Sequence, residues 1–219
     1  MRFLHTADWQ IGMKAAHVGT AAEEVRKARL EAVGKLREVA AEREADFLVA
    51  AGDLFENNAV GRPLVRQVAE QLNGFPCPVY IIPGNHDPLV PGSVWEHPAW
   101  AEADKVEVLT EPRPVEVPGG RLYPCPVLDA YSEKDPTGWV PARKKDVIRI
   151  GVAHGTVEGV GAEDPALPIS RDAAIRSGLD YLALGHWHST VIYEEQKMAY
   201  SGTPEPTGLG MISYAVFCL

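Results

Sequence analysis

Five apolar stretches of the chain each run into residues that can bind a metal. RFLHTAD ends at Asp8, DFLVAAGD at Asp53, PVYIIPGNHD at Asn85 and His86, VIRIGVAHG reaches His154, and DYLALGHWH reaches His186 and His188. Carboxylate oxygen, amide oxygen and imidazole nitrogen make a mixed hard and borderline donor set, suited to manganese, iron or zinc rather than to a calcium cage or a thiolate zinc site. Taken singly, each residue has an ordinary explanation. A histidine on an apolar strand is commonly a packed core residue, and Gly52-Asp53 could be a plain turn. Gly84-Asn85-His86-Asp87 is less ordinary, because a turn needs no imidazole. Two histidines at i and i+2 leave an extended chain on the same side. Together the strand ends point to convergence on one metal centre, with Asp53 able to bridge two ions.

Such convergence needs strands whose carboxyl ends share one edge, the arrangement of an α/β sheet. The five stretches are near-continuous hydrophobic runs, as a sheet covered on both faces requires. Between the first two, residues 20 to 44 carry an amphipathic helical pattern opened by a Thr20–Glu23 capping box. A second helix is expected from Pro63 to Leu72, with proline in its first turn. Alternating strand and helix argue for a parallel half. After about residue 105 shorter strands with Pro and Gly turns, such as RPVEVPGGRLYPCPV, suggest a second, mixed or antiparallel sheet, and the terminal SYAVFCL reads as a strand completing the core. Pro88 to Trp100 and Leu128 to Lys145 read as long surface loops.

The 219 residues, 46% apolar and 23% charged, are enough for one substantial core, and the chain reads as a single domain, 1–219. No apolar run approaches the ~18 residues of a membrane helix, and the N-terminus lacks the zones of a secretory signal, so a cytoplasmic setting without membrane contact is expected. Cys77, Cys125 and Cys218 form no CxxC pair and fit reduced thiols. A net charge of −9 argues against a general nucleic-acid binder, unless bound cations reverse the local field.

The set Ala7-Asp8, Gly52-Asp53, Gly84-Asn85-His86-Asp87, His154-Gly155 and Gly185-His186-Trp187-His188 resembles, in order, the signature of the calcineurin-like metallophosphoesterases. FLHTADWQIG, AGDLFE, AHGTVEG and YSGTPEPTG are similar to the SbcD-like branch, the nucleases of double-strand-break repair. The resemblance implies a four-layer αββα sandwich, two mixed sheets flanked by helices, around two divalent ions, usually manganese. Asp53 would bridge them. The first ion would take Asp8, the residue at position 10 and His188; the second would take Asn85, His154 and His186. His86 would stand beside the ions as the acid, or as stabiliser of the phosphoryl oxygens, while a hydroxide attacks in line. Family members carry histidine where this chain has Gln10, a poorer ligand for borderline ions, so a weak first site is expected. Glu56, three residues past Asp53, would orient His86 through its carboxylate.

The expected activity is metal-dependent phosphodiester hydrolysis, as a DNA exonuclease or single-strand endonuclease. Trp95 and Trp100 could stack on bases, and Arg143, Lys144 and Lys145 could meet a phosphate backbone. An SbcC-like ATPase partner and a homodimer are further expectations from the branch, whose capping and partner-docking domains are not expected within these 219 residues. A small-molecule phosphodiesterase or phosphatase is the alternative that the acidic balance and Glu56 favour. A metal-poor, non-catalytic scaffold is another.

Overall fold

Both faces of the central strands are apolar, and the fold buries both. The computed structural model describes residues 1–14, 22–142, 147–159 and 167–204, together with the backbone of 215–218. It opens with β1 (Arg2–Thr6), α1 (Ala22–Glu42), β2 (Phe47–Ala51), α2 (Arg62–Asn73), β3 (Val79–Ile82) and β4 (Val106–Val108). β5 (Val115–Val117), β6 (Gly120–Cys125) and β7 (Ile148–His154) follow, then a short pair, β8 (Thr156–Val157) and β9 (Pro168–Ile169). The chain continues through α3 (Ala173–Arg176), β10 (Tyr181–Gly185), β11 (Val191–Tyr193), β12 (Met198–Tyr200) and β13 (Ala215–Cys218).

One sheet has the strand order β13-β1-β2-β3-β4, and the other β11-β12-β10-β7-β6-β5. Both are mixed. In the first, β1 to β4 run parallel and β13 lies antiparallel to β1, so the terminal strand completes this sheet. In the second, β6, β7, β10 and β12 run parallel between antiparallel edge strands.

Side-chain alternation then builds the layers. In β2, Phe47, Val49 and Ala51 face Ile150, Val152, Tyr181 and Ala183 of the other sheet. Leu48 and Ala50 face the opposite way, onto Val33 and Leu36 of α1 and Val65, Val68 and Leu72 of α2. In β10, Leu182 and Leu184 pack outward against Ala173 and Ala174 of α3 and against Val140. The layers are therefore helix, sheet, sheet, helix, with a thin fourth layer made by the four residues of α3 and the 3-10 turn Pro136–Trp139.

The helices match expectation to within a residue or two, and Pro63 does sit in the first turn of α2. Thr20 of the expected capping box lies outside the described residues. The Pro88 to Trp100 stretch differs from the loop expected. It folds as two 3-10 turns, Val94–Glu96 and Pro98–Trp100, whose tryptophans join the core beside Phe55. The indoles contribute too much apolar surface to remain in water.

Candidate metal centre

β1, β2 and β3 belong to one sheet and β7 and β10 to the other, so the five strand ends meet face to face across the sandwich rather than side by side along one edge. The hinge of this meeting is a hydrogen bond. His154 Nδ1, at the end of β7, donates to the Ala51 carbonyl at the end of β2 over 2.8 Å. With Nδ1–H committed there, Nε2 faces two oxygen acceptors: Asn85 Oδ1 at 2.8 Å and Asp53 Oδ2 at 3.4 Å. His186 Nδ1 lies 3.0 Å from the same Asn85 oxygen. Lone pairs so close need a proton or a cation between them. The ligand atoms of Asp53, His154 and His186 all lie within 4.8 Å of one another, and with the Asn85 amide they form the mixed donor set that borderline divalent ions take.

Electrostatics points the same way. Burial pushes the Asp8 carboxyl up to about 7, with the Asp53 charge adding to it and His154 and the His186 N–H opposing. Burial alone would lower His154, but the Asp53 and Asp8 carboxylates raise it to about 9. Burial also raises Asp53, yet the charge and hydrogen bond of His154 and the His86 N–H outweigh it and bring Asp53 below the usual carboxylate range. Buried acids of this kind demand positive charge beside them, which a metal ion supplies.

The backbone is shaped for the purpose. Asp8, Gln10 and Asp53 have φ of 56°, 46° and 55°, and His186 has 107°, conformations that non-glycine residues seldom adopt. Such outliers gather where a site holds side chains in set directions. Gly84 is required by close approach: a Cβ there would lie 2.1 Å from Asp53 Oδ1 and 2.3 Å from the Asp53 nitrogen. Its turn instead lets the His86 N–H donate to Asp53 Oδ1 over 2.9 Å, leaving Oδ2 toward His154.

Asp8 accepts the His186 N–H with both carboxylate oxygens, at 2.9 and 3.1 Å, which ties β1 to the end of β10. Gln10 Nε2 lies 3.2 Å from His188 Nε2, so the side chain expected as a weak ligand bonds the ring of its companion. The turn bearing them is anchored from α1, where buried Arg29 donates to the Trp9 carbonyl over 2.7 Å. His186 and His188 do not leave an extended strand, the backbone that would set them on one side. β10 ends at Gly185, and the positive φ of His186 turns the chain so that one ring meets Asn85 and the other Gln10.

His86 is exposed, and its Nδ1 donates to the Glu56 carbonyl over 3.0 Å. Glu56 therefore orients His86 through its main chain, not through the carboxylate expected for that role. Trp95 and Trp100 are not base-stacking residues. Both are buried, packed against Phe55, with their indole N–H groups donating to the Asp87 and Val94 carbonyls. Arg143, Lys144 and Lys145 lie outside the described residues. Sequence reasoning gave no role to Asp87, which is buried and accepts N–H groups from Gly84 at 2.7 Å and Phe55 at 2.9 Å, so it pins the turns that follow β2 and β3 to each other. Its place in the GNHD turn was the available signal. The Ala51 carbonyl, a backbone atom, had none.

A mixed two-sheet sandwich with carboxylate, amide and imidazole donors gathered at one end is a metallophosphoesterase arrangement, and the chain belongs to the calcineurin-like phosphoesterase family, whose pattern matches residues 1–190. The family takes its name from phosphoester hydrolysis. Among curated proteins it is similar to an uncharacterized metallophosphoesterase, YhaO, of Bacillus subtilis (strain 168), 27% identical over 221 residues, covering 94% of this chain and 53% of that protein. The chain thus spans about half the length of the curated relative it matches. The crystal structure of TT1561 of Thermus thermophilus superposes with a TM-score of 0.59 at 11% identity, over 92% of this chain and 89% of that one. A further crystal structure reaches 0.60 at 14% identity, over 99% and 94%. At these identities the likeness establishes the fold. No helix among the described residues is long and apolar enough to cross a membrane.

Proposed function

We propose that this centre holds two divalent ions, manganese by preference, and hydrolyses phosphodiester bonds of DNA as an exonuclease or single-strand endonuclease of SbcD-like type. The convergence of Asp53, Asn85, His154 and His186 on one point carries the reading. Asp8, Gln10 and His188 are the companion set. Such ions, when bound, supply Lewis acidity toward phosphoryl oxygens and lower the pKa of water.

The chain's own groups do the rest. Asp53, fixed through Oδ1 by the His86 N–H, keeps Oδ2 toward His154. Ala51 fixes His154 in the tautomer that leaves Nε2 for a ligand bond, as backbone partners of metal-binding histidines do. His86, with its Nδ1–H held by the Glu56 carbonyl, must take up a second proton on Nε2 from solvent to act as the acid, and it then passes that proton to the departing alkoxide as its P–O bond breaks. An SbcC-like ATPase partner, homodimerisation and a cytoplasmic setting belong to the same proposal. A small-molecule phosphodiesterase is the second reading, favoured by the net charge of −9.

Manganese-dependent degradation of a labelled oligonucleotide, set beside hydrolysis of a cyclic nucleotide and an aryl phosphate, separates the two readings. Asp53→Asn should abolish turnover. His86→Ala should spare metal binding and remove most of it, by a factor of roughly 10²–10⁴ as for a lost general acid. Manganese-dependent turnover that survives Asp53→Asn would remove the centre from the reaction.

A further inference from the structure

Among the described residues only four large apolar side chains stand more than half exposed, and two of them, Leu128 and Tyr131, each 53% exposed, occupy one loop. That loop follows β6 and lines a cleft of about 720 Å³. Its position bears on the metal centre. Cys125 at the end of β6 pairs with Ala153, one residue before His154. Two residues on, the Val127 N–H donates to the Pro83 carbonyl over 3.2 Å, and Val127 accepts the Leu89 N–H at 3.0 Å, so the loop is bonded to both flanks of the Gly84–Asp87 turn. Leu128 therefore lies one residue beyond a backbone hydrogen bond to Pro83, itself two residues before Asn85, so the loop leaves from beside the turn that carries Asn85 and His86.

We propose that this cleft seats the nucleobase of the nucleotide adjoining the scissile phosphate, with Leu128 and Tyr131 as its apolar contacts. The pocket has this role only if the centre hydrolyses phosphodiesters. Charge decides what it can hold. Among the described residues that line the cleft, Asp129, Glu133 and Asp135 stand against Lys134, and Asp135 is also paired with Arg176 over 3.2 Å. A second phosphate or a continuing sugar–phosphate backbone would be repelled there, whereas a neutral base would not. The Tyr131 hydroxyl donates to Glu133 over 3.1 Å, which tethers the far end of the ring. A ring so placed is a stacking surface of the kind that single bases take without sequence preference. The phosphate then belongs at the metal centre and the base in the cleft. The same chemistry serves the end nucleotide of a DNA strand or a small nucleoside phosphodiester.

Two phosphodiesters sharing one leaving group test this: thymidine 5′-(p-nitrophenyl phosphate), which carries a base, and methyl p-nitrophenyl phosphate, which does not. With manganese, Tyr131→Ala should lower kcat/KM for the thymidine ester roughly ten-fold more than for the methyl ester, mainly through KM, with Leu128→Asn acting in the same direction and Tyr131→Phe restoring the preference. Equal effects on both esters, or none, would overturn the assignment. Turnover of the methyl ester by the unaltered protein reports on the phosphodiesterase reading alone. Calorimetry adds a readout independent of turnover: thymidine 5′-monophosphate should bind more tightly than inorganic phosphate, and Tyr131→Ala should close that gap. Equal affinity of the two ligands for the unaltered protein would also overturn the pocket.

Discussion

Gly185→Ala perturbs the contact that joins the two sheets at the metal centre. A Cβ at position 185 would lie 2.0 Å from the Ala51 carbonyl oxygen, 2.8 Å from Ala7 Cβ and 2.8 Å from His154 Nδ1. Side-chain carbons essentially never approach closer than 3.0 Å, so β10 and β2 must part by at least 3.0 − 2.0 = 1.0 Å. The obstacle is backbone, which cannot rotate away. Ala51 O is also the acceptor of His154 Nδ1, and residue 186 begins the His186–His188 pair, so the displacement passes directly into the donor set. Metal–ligand distances tolerate about ±0.2 Å. Manganese affinity measured by calorimetry should therefore fall by at least the roughly 10–100-fold seen when outer-shell partners are lost. Overpacking of this kind costs about 1–3 kcal/mol, or roughly 2–12 °C of melting temperature for a chain of this size. Gly34→Ala is the control. Position 34 lies within α1 with nothing in 4 Å of a new Cβ, and there alanine should stabilise by about 0.5–1 kcal/mol. If both variants melt above the parent and bind manganese alike, the two sheets do not meet at the centre as described.

Gln10→His should raise affinity for the second equivalent of manganese about ten-fold or more, because an imidazole replaces an amide that hydrogen-bonds the His188 nitrogen; matching titrations of parent and variant would count against this. Asp87→Ala strands the Gly84 and Phe55 N–H groups, each at about 1–3 kcal/mol, so denaturation should show a loss of ~2–6 kcal/mol, with Asp87→Asn intermediate because its amide keeps one acceptor oxygen. His5 is buried and hydrogen-bonded to the Tyr181 hydroxyl, and burial lowers its pKa from 6.5 to about 3. Below pH 6.5 the unfolded chain takes up a proton that the native state refuses, so His5 favours the fold at neutral pH and this contribution is lost as pH falls toward 3. By pH 5 the loss is ~2 kcal/mol, and His5→Gln should flatten stability against pH between 6.5 and 5; an equal slope in both proteins would refute it.

How much of this was legible in the sequence depends on what kind of atom carries each contact. The groups that converge sit on side chains at the ends of apolar runs, so the gathering of Asp53, Asn85, His154 and His186 could be read from residue type and spacing, and the two-sheet layering from apolar strands followed after about residue 105 by shorter ones with Pro and Gly turns. What escaped lies in the backbone or in competition for burial. Glu56 reaches His86 with a carbonyl that every residue type possesses, so its carboxylate misled. Trp95 and Trp100 sit in a proline-rich stretch that reads as surface, yet their indoles find both apolar neighbours and carbonyl acceptors, and the stretch folds inward around them. His186 and His188 lie past Gly185, the last residue of β10, so the strand rule applied to them does not describe their backbone. The same logic explains why the motif glycines belong to the centre as much as its ligands do. The Ala51–His154 hydrogen bond is at once a metal-site support and the tie between two sheets, and it exists only because position 185 carries no Cβ. In this fold the demands of ligand geometry and of sheet packing fall on the same atoms, so a substitution at the floor of the site should change stability and metal affinity together.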